Sequence, residues 1–176
     1  ITRTFPVNGK YTQPQRDVYD VVLEVQKKCI DYTVTGNTVK ARHEYSIELL
    51  TEGMKKIGLL KGQTKDLIKE KAYMRYYMHG VGHYLGLDVH DAGRYFVDQK
   101  AKNSRPFAPG MCLTVEPGIY VPPDDKDAPA KYRGIGIRIE DDVLVTENGN
   151  VNLTRKVPKE PEEIEALMAK GRNGKK

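Results

Sequence analysis

Met78-His79-Gly80-Val81-Gly82-His83-Tyr84-Leu85-Gly86-Leu87-Asp88-Val89-His90-Asp91 is the stretch to which the rest of the chain must answer. Three of the four histidines fall inside it, with glycines set between and around them. Glycine permits backbone conformations and close approaches that a side chain would block. The apolar residues at 81, 85, 87 and 89 predict that part of the run is buried strand. Imidazoles held on such a backbone suit metal ligation or proton transfer. Satisfied core histidines in a glycine-rich loop are the plainer alternative.

Around this run the hydrophobic pattern alternates between helix and strand. Ile1 to Val7 predicts the end of a strand, and Asn8-Gly9 a turn. Thr12-Gln-Pro-Gln15 is a helix start, with a capping hydroxyl and an early proline. Val18, Val21, Val22, Val25 and Cys29 then recur at helical spacing as a core-facing stripe. A second helix is expected over residues 41–57, with Ile47, Leu50, Met54 and Ile57 on one side and Gly53 as a weak point. Thr64 is expected to cap a third, short helix that turns Leu67 and Ile68 inward and Lys65, Lys69 and Lys71 outward. Residues 93–110 and 122–131 read as irregular segments, the kind that often carry function. Met111 to Val115 and Gly134 to Ile139 read as strands. Val143 to Val145 follows, then a hairpin-type turn at Glu147-Asn-Gly-Asn150. Residues 158–169 predict a terminal helix packed through Ile164, Leu167 and Met168.

Composition narrows the class. A length of 176 residues suits one domain with a substantial core. No apolar run approaches the roughly 20 residues of a membrane span, and there is no basic-then-apolar leader. Cys29 and Cys112 form no spaced cluster, so two free thiols in a reducing compartment, the cytoplasm, is the expectation. The formal charge of +5 is concentrated in Lys170, Arg172, Lys175, Lys176 and the lysines between 55 and 71. No aromatic-rich basic platform lies beside them, which argues against a nucleic-acid partner. The chain opens at Ile1, without a methionine and directly in an apolar run, and is read as a piece of something longer.

Two carboxylates sit where a surface glutamate would not. Glu116 follows Leu113 and Val115 and precedes Pro-Gly, and Glu140 follows Ile135, Ile137 and Ile139. An unpaired charge at the end of an apolar strand is heavily penalised. A metal ion is one remedy, and Arg138 beside Glu140 is another. His83, Glu116 and Glu140 make an N/O/O set suited to Mn²⁺, Zn²⁺, Co²⁺ or Fe²⁺. Three protein ligands leave a position open for a water that the ion would acidify.

The blocks His79-Gly-Val-Gly-His83-Tyr-Leu-Gly-Leu-Asp-Val-His90-Asp91, Leu113-Thr-Val-Glu116-Pro-Gly-Ile-Tyr120 and Tyr132-Arg-Gly-Ile-Gly-Ile-Arg138-Ile-Glu140-Asp-Asp resemble aminopeptidase P. This is the Xaa-Pro aminopeptidase branch of the pita-bread metallopeptidases, and the similarity runs to about Met168. The resemblance implies an α+β fold, a curved and mainly antiparallel sheet with helices on its outer face. Residues 1–176 would be the C-terminal part of the catalytic domain, with an N-terminal domain and the first part of the catalytic domain outside the chain. It implies a dinuclear site, usually Mn²⁺, in which His83 and Glu116 hold one ion and Glu140 bridges both. Glu116 would also take the proton of the attacking water. His90 would contact substrate and stabilise the tetrahedral intermediate, and His79 would line the pocket near the proline. Tyr120 and Arg138 would hold the carboxylates. The family's two aspartate ligands and a further histidine fall outside the chain, leaving three of five protein ligands, and the chain alone is expected to be inactive. The substrate would be a peptide with proline second, and the parent a homo-oligomer. Prolidase and a non-catalytic pita-bread binding module are the rival readings.

Overall fold

Thr12-Gln-Pro-Gln15 begins the first helix as its residue types require. Thr12 Oγ1 accepts from the Gln15 amide at 3.4 Å, and Gln15 Oε1 accepts from the Thr12 amide at 2.9 Å. Pro14 sits in the first turn, where no amide hydrogen is needed. The helix, α1, runs Gln13–Tyr32 and buries Val18, Val22, Val25 and Cys29 along one side. This computed structural model describes residues 1–98, 100 and 102–173. Lys175 and Lys176, read from the sequence as part of a basic tail, lie outside the described residues.

The second helix, α2, spans Val39–Lys56, and Thr38 Oγ1 caps it by accepting from the Ala41 amide at 3.1 Å. Gly53 has a packing reason: a Cβ there would lie 2.3 Å from Val21 Cγ1, so α1 and α2 cross too closely for a side chain. The third helix, α3 (Thr64–Lys69), starts at Thr64 instead of being capped by it. Lys55 Nζ has taken that hydroxyl as its acceptor, at 2.8 Å. Leu67 is buried and Lys65, Lys69 and Lys71 are exposed, as expected.

Residues 93–110 hold a short hairpin, β1 (Phe96–Asp98) with β2 (Asn103–Ser104), where only irregular chain was expected. Gln99 and Ala101 lie outside the described residues. Five further strands follow: β3 (Cys112–Val115), β4 (Gly118–Tyr120), β5 (Gly136–Arg138), β6 (Asp141–Thr146) and β7 (Gly149–Asn152). Every strand pairing among the described residues is antiparallel.

Register explains where the glutamates stand. Leu113 faces Val143 and Ile119 faces Ile137, so the β3–β6 and β4–β5 pairings run in one register. Carried through the break between them, that register sets Glu116 opposite Glu140. The break falls at Pro117, which has no amide hydrogen to give the ladder. Alternation along the strands then sorts the side chains onto two faces. Val115, Ile119, Ile137, Ile139 and Val143 enter the core shared with α1. Thr114, Glu116, Tyr120, Arg138 and Glu140 take the opposite face.

The termini differ from expectation in detail. The expected N-terminal strand reduces to one bridge, Thr2 with Glu140, and Phe5 and Val7 are exposed. The last helix, α4 (Pro161–Asn173), packs through Pro161, Ile164 and Met168. Leu167, expected on that face, is exposed, because those three residues set the line of contact and it lies beside them.

Candidate metal centre

The glycine-histidine run is half strand and half loop. Glu116 N donates to Val81 O at 2.8 Å, Thr114 N to His83 O at 2.9 Å, and Leu85 N to Cys112 O at 3.1 Å. Residues 81–85 are thereby an added antiparallel edge on β3. Beyond Leu85 the chain turns on itself, with Gly86 N donating to Asp88 O and Asp91 N to Tyr84 O. Leu87 and Val89 point into solvent, against the expectation of buried strand. A turn that satisfies its own backbone has no neighbouring strand to cover them.

Gly82 is required by the approach of the two strands. A Cβ there would lie 1.9 Å from Thr114 O and 2.9 Å from Arg42 Nη2. Arg42 is fully buried, stacked over the Phe107 ring at 5.2 Å, and its pKa is pulled down to about 10 by burial. Neither backbone oxygen nor buried guanidinium can give way cheaply. Gly82→Ala is therefore expected to cost about 3 kcal/mol, read from the chemical denaturation midpoint. Gly80→Ala is the control, because its Cβ meets nothing closer than 4.0 Å, and its stability should stay within about 1 kcal/mol of the parent.

The three expected ligands converge. Ligand atoms of His83, Glu116 and Glu140 all lie within 4.8 Å of one another, with both glutamates buried. His83 Nδ1 lies 2.8 Å from Tyr84 O. A carbonyl only accepts, so in the neutral ring Nδ1 carries the proton and Nε2 presents a lone pair. That lone pair faces Glu116 Oε1 at 3.1 Å. Two acceptors at hydrogen-bond distance need a cation or a proton between them. Glu116 and Glu140, opposed across the ribbon, repel one another as well. The centre is thus built to receive positive charge, and imidazole with two carboxylates suits a divalent ion.

Around these ligands lies a network of supporting bonds. Thr114 Oγ1 donates to Glu116 Oε1 at 3.0 Å and accepts from the His83 amide at 3.0 Å, tying two ligands together. Thr114 escaped the sequence reading, although its place two residues before Glu116 on one strand was the available signal. Arg138 Nη1 stands 3.6 Å from Glu116 Oε2, and Arg138 Nε donates to Tyr120 Oη at 2.7 Å. The expected Arg138–Glu140 pair is absent among the described residues. Glu140 is met instead by the Thr2 hydroxyl. His79 Nδ1 donates to Gly80 O at 2.8 Å, so in the neutral ring Nε2 accepts from Tyr120 Oη at 2.8 Å. Burial raises the Tyr120 pKa, outweighing the Arg138 hydrogen bond, and keeps that hydroxyl protonated. His90 is exposed, with its ring edge-on to His83 at 4.4 Å between centroids. All seven residues singled out from the sequence therefore lie in one continuous array.

A second feature had no sequence signal beyond its place beside Glu140. Asp141 is fully buried on the core face. It accepts from Arg3 and Lys159, at 2.6 and 2.7 Å, and from Gln26, Asn152 and Thr154. Burial alone would raise its pKa, but the bonds from Lys159, Arg3, Thr154 and Asn152 hold it well below the usual carboxylate range.

Comparison with known proteins decides the lineage. The model of metallopeptidase family M24 matches residues 1–147. The chain belongs to metallopeptidase family M24. M24 relatives include the Xaa-Pro aminopeptidase of Haemophilus influenzae, 52% identical over 168 residues, covering 96% of this chain and 38% of the relative. The Escherichia coli Xaa-Pro aminopeptidase is 51% identical over 172 residues, covering 98% and 38%. The chain thus spans a little over a third of the length of these relatives. Among solved structures, Pseudomonas aeruginosa aminopeptidase PepP superposes with a TM-score of 0.94 at 47% identity, covering 98% of this chain and 38% of that one. Escherichia coli aminopeptidase P with the inhibitor Pro-Leu gives 0.91 at 50% identity, with the same coverage. The fold is accordingly the pita-bread arrangement of the M24 peptidases, and the family's chemistry is that of a divalent metal.

Proposed function

We propose that this chain supplies the C-terminal part of the catalytic domain of a proline-specific aminopeptidase, which releases the first residue of peptides with proline second. One observation carries the reading: His83, Glu116 and Glu140 meet on one face of the ribbon, within reach of a single ion. In this reading His83 and Glu116 would hold one ion, Mn²⁺ by preference, and Glu140 would be shared with a second. A divalent ion there would polarise the scissile carbonyl and bring a bound water's pKa toward neutrality. The Glu116 carboxylate would be the group placed to take a proton from such a water. His90, edge-on beside His83, donates to the carbonyl oxygen as charge develops, and His79 forms the wall against which the proline ring rests. A proline amide is tertiary and has no hydrogen to offer an enzyme. None of these residues asks for one. The parent is proposed to act in the cytoplasm as a homo-oligomer, and the chain alone, with three of five ligands, to be inactive.

The full-length protein loaded with Mn²⁺ should release the N-terminal residue of Xaa-Pro-Yaa peptides and leave Xaa-Ala-Yaa peptides intact. Failure to cleave the proline peptides would overturn the assignment. Turnover confined to Xaa-Pro dipeptides would move it to prolidase. Tyr120→Phe removes the hydroxyl that links His79 to Arg138 and frees both to drift. A loss of about 10- to 100-fold in kcat is expected, on the scale of outer-shell partners of a metal site, with little change in the unfolding midpoint.

A further inference from the structure

The backbone between His79 and His83 serves two spaces. Gly80, Val81 and Gly82 also line a cavity of about 430 Å³ walled by Val39, Tyr95 and Phe96, within the size range of ligand clefts, about 300–1,000 Å³. His43, which belongs to none of the motif blocks, forms part of this wall. Its ring lies 6.1 Å from that of Tyr77, which in turn lies 4.9 Å from His79. Burial, helped by the Arg42 charge, lowers the His43 pKa, so the wall stays uncharged. Two exposed lysines, Lys40 and Lys102, stand at the mouth, Lys40 sharing its charge with Glu44 at 3.7 Å. The cavity is thus apolar within, cationic at the rim, and joined to the metal centre by one stretch of backbone.

We propose that this cavity receives an apolar side chain of the peptide beyond its proline, with Lys40 and Lys102 drawing in the peptide's carboxylate end. The inference rests on the aminopeptidase reading above. An enzyme that removes one residue has a single side chain before the scissile bond, and that residue carries the ammonium group. Two lysines at the mouth repel an ammonium and attract a carboxylate, which assigns the cavity to the portion after the proline. The apolar walls then select what that portion carries.

The test uses the Mn²⁺-loaded full-length protein and Xaa-Pro-Gly-Gly, Xaa-Pro-Leu-Leu and Xaa-Pro-Phe-Phe peptides, each as free acid and as amide. The leucine and phenylalanine peptides should show kcat/KM about tenfold above the glycine peptide, the scale of one buried apolar group. Amidation should lower kcat/KM severalfold. Phe96→Ala should erase most of the apolar gain, and Lys102→Glu should reverse the carboxylate preference, while both variants cleave the glycine amide at the parent rate. Equal rates across the series, unaltered by Phe96→Ala, would overturn the cavity's role and leave the aminopeptidase standing. No cleavage of any peptide would overturn both.

Discussion

Glu140→Ala empties the centre: equilibrium dialysis of the full-length protein should show Mn²⁺ affinity falling by more than the roughly 100-fold that an outer-shell partner commands. Xaa-Pro hydrolysis should fall at least as far. The reason lies in the register of the ribbon, which sets Glu140 against Glu116 with both side chains buried. Two such carboxylates side by side would be offset by a cation between them, and one alone would hold such an ion weakly. A companion measurement separates this from misfolding. Without metal, the variant should be as stable as the parent or more so, since a like-charge repulsion has been relieved. Metal should then no longer raise its unfolding temperature, as it does when an ion binds only the folded state. Retained affinity and retained turnover would remove Glu140 from the centre.

The second large effect is on stability. Asp141→Ala leaves Arg3 and Lys159, with side chains 10% and 17% exposed, without a counter-charge, with only backbone carbonyls and Gln26 Oε1 left to accept from them. Removing one partner of a buried pair typically costs about 3–5 kcal/mol, and that loss is expected here from chemical denaturation. The carboxylate gathers the N-terminal segment, α1 through Gln26, β7 through Asn152 and the approach to α4 through Lys159. Its loss loosens four segments at once, and Glu140 is the next residue along. Asp141→Asn keeps the shape without the charge and should fall between the two. A cost below about 1 kcal/mol, ordinary for a surface change, would show the network to be dispensable.

Much of this architecture was legible in the order of residues. The Thr12 capping box, the valine stripe of α1 and the apolar alternation around Glu116 and Glu140 are local signals, because helix caps and strand alternation depend on near neighbours. The three candidate ligands were recognisable as glutamates standing at the ends of apolar strands and a histidine among glycines. Other features were not legible. Leu87 and Val89 carry a strand's residue types but sit in a loop, because no second strand reaches them. Arg138 serves Glu116 and Tyr120 rather than its near neighbour Glu140, because the cross-strand register sets it opposite Gly118, between those two residues.

The sequence by itself determined the family, the helices with their inward faces, and the identity of the groups able to hold an ion, since each of those follows from residue type and spacing. Only the tertiary structure decided that Glu116 stands opposite Glu140, that Thr114 ties His83 to Glu116, and that Asp141 turns inward while Glu140 turns toward His83 and Glu116. These depend on pairing between segments far apart in the chain, where shifting the register by one residue would exchange the two faces of the sheet.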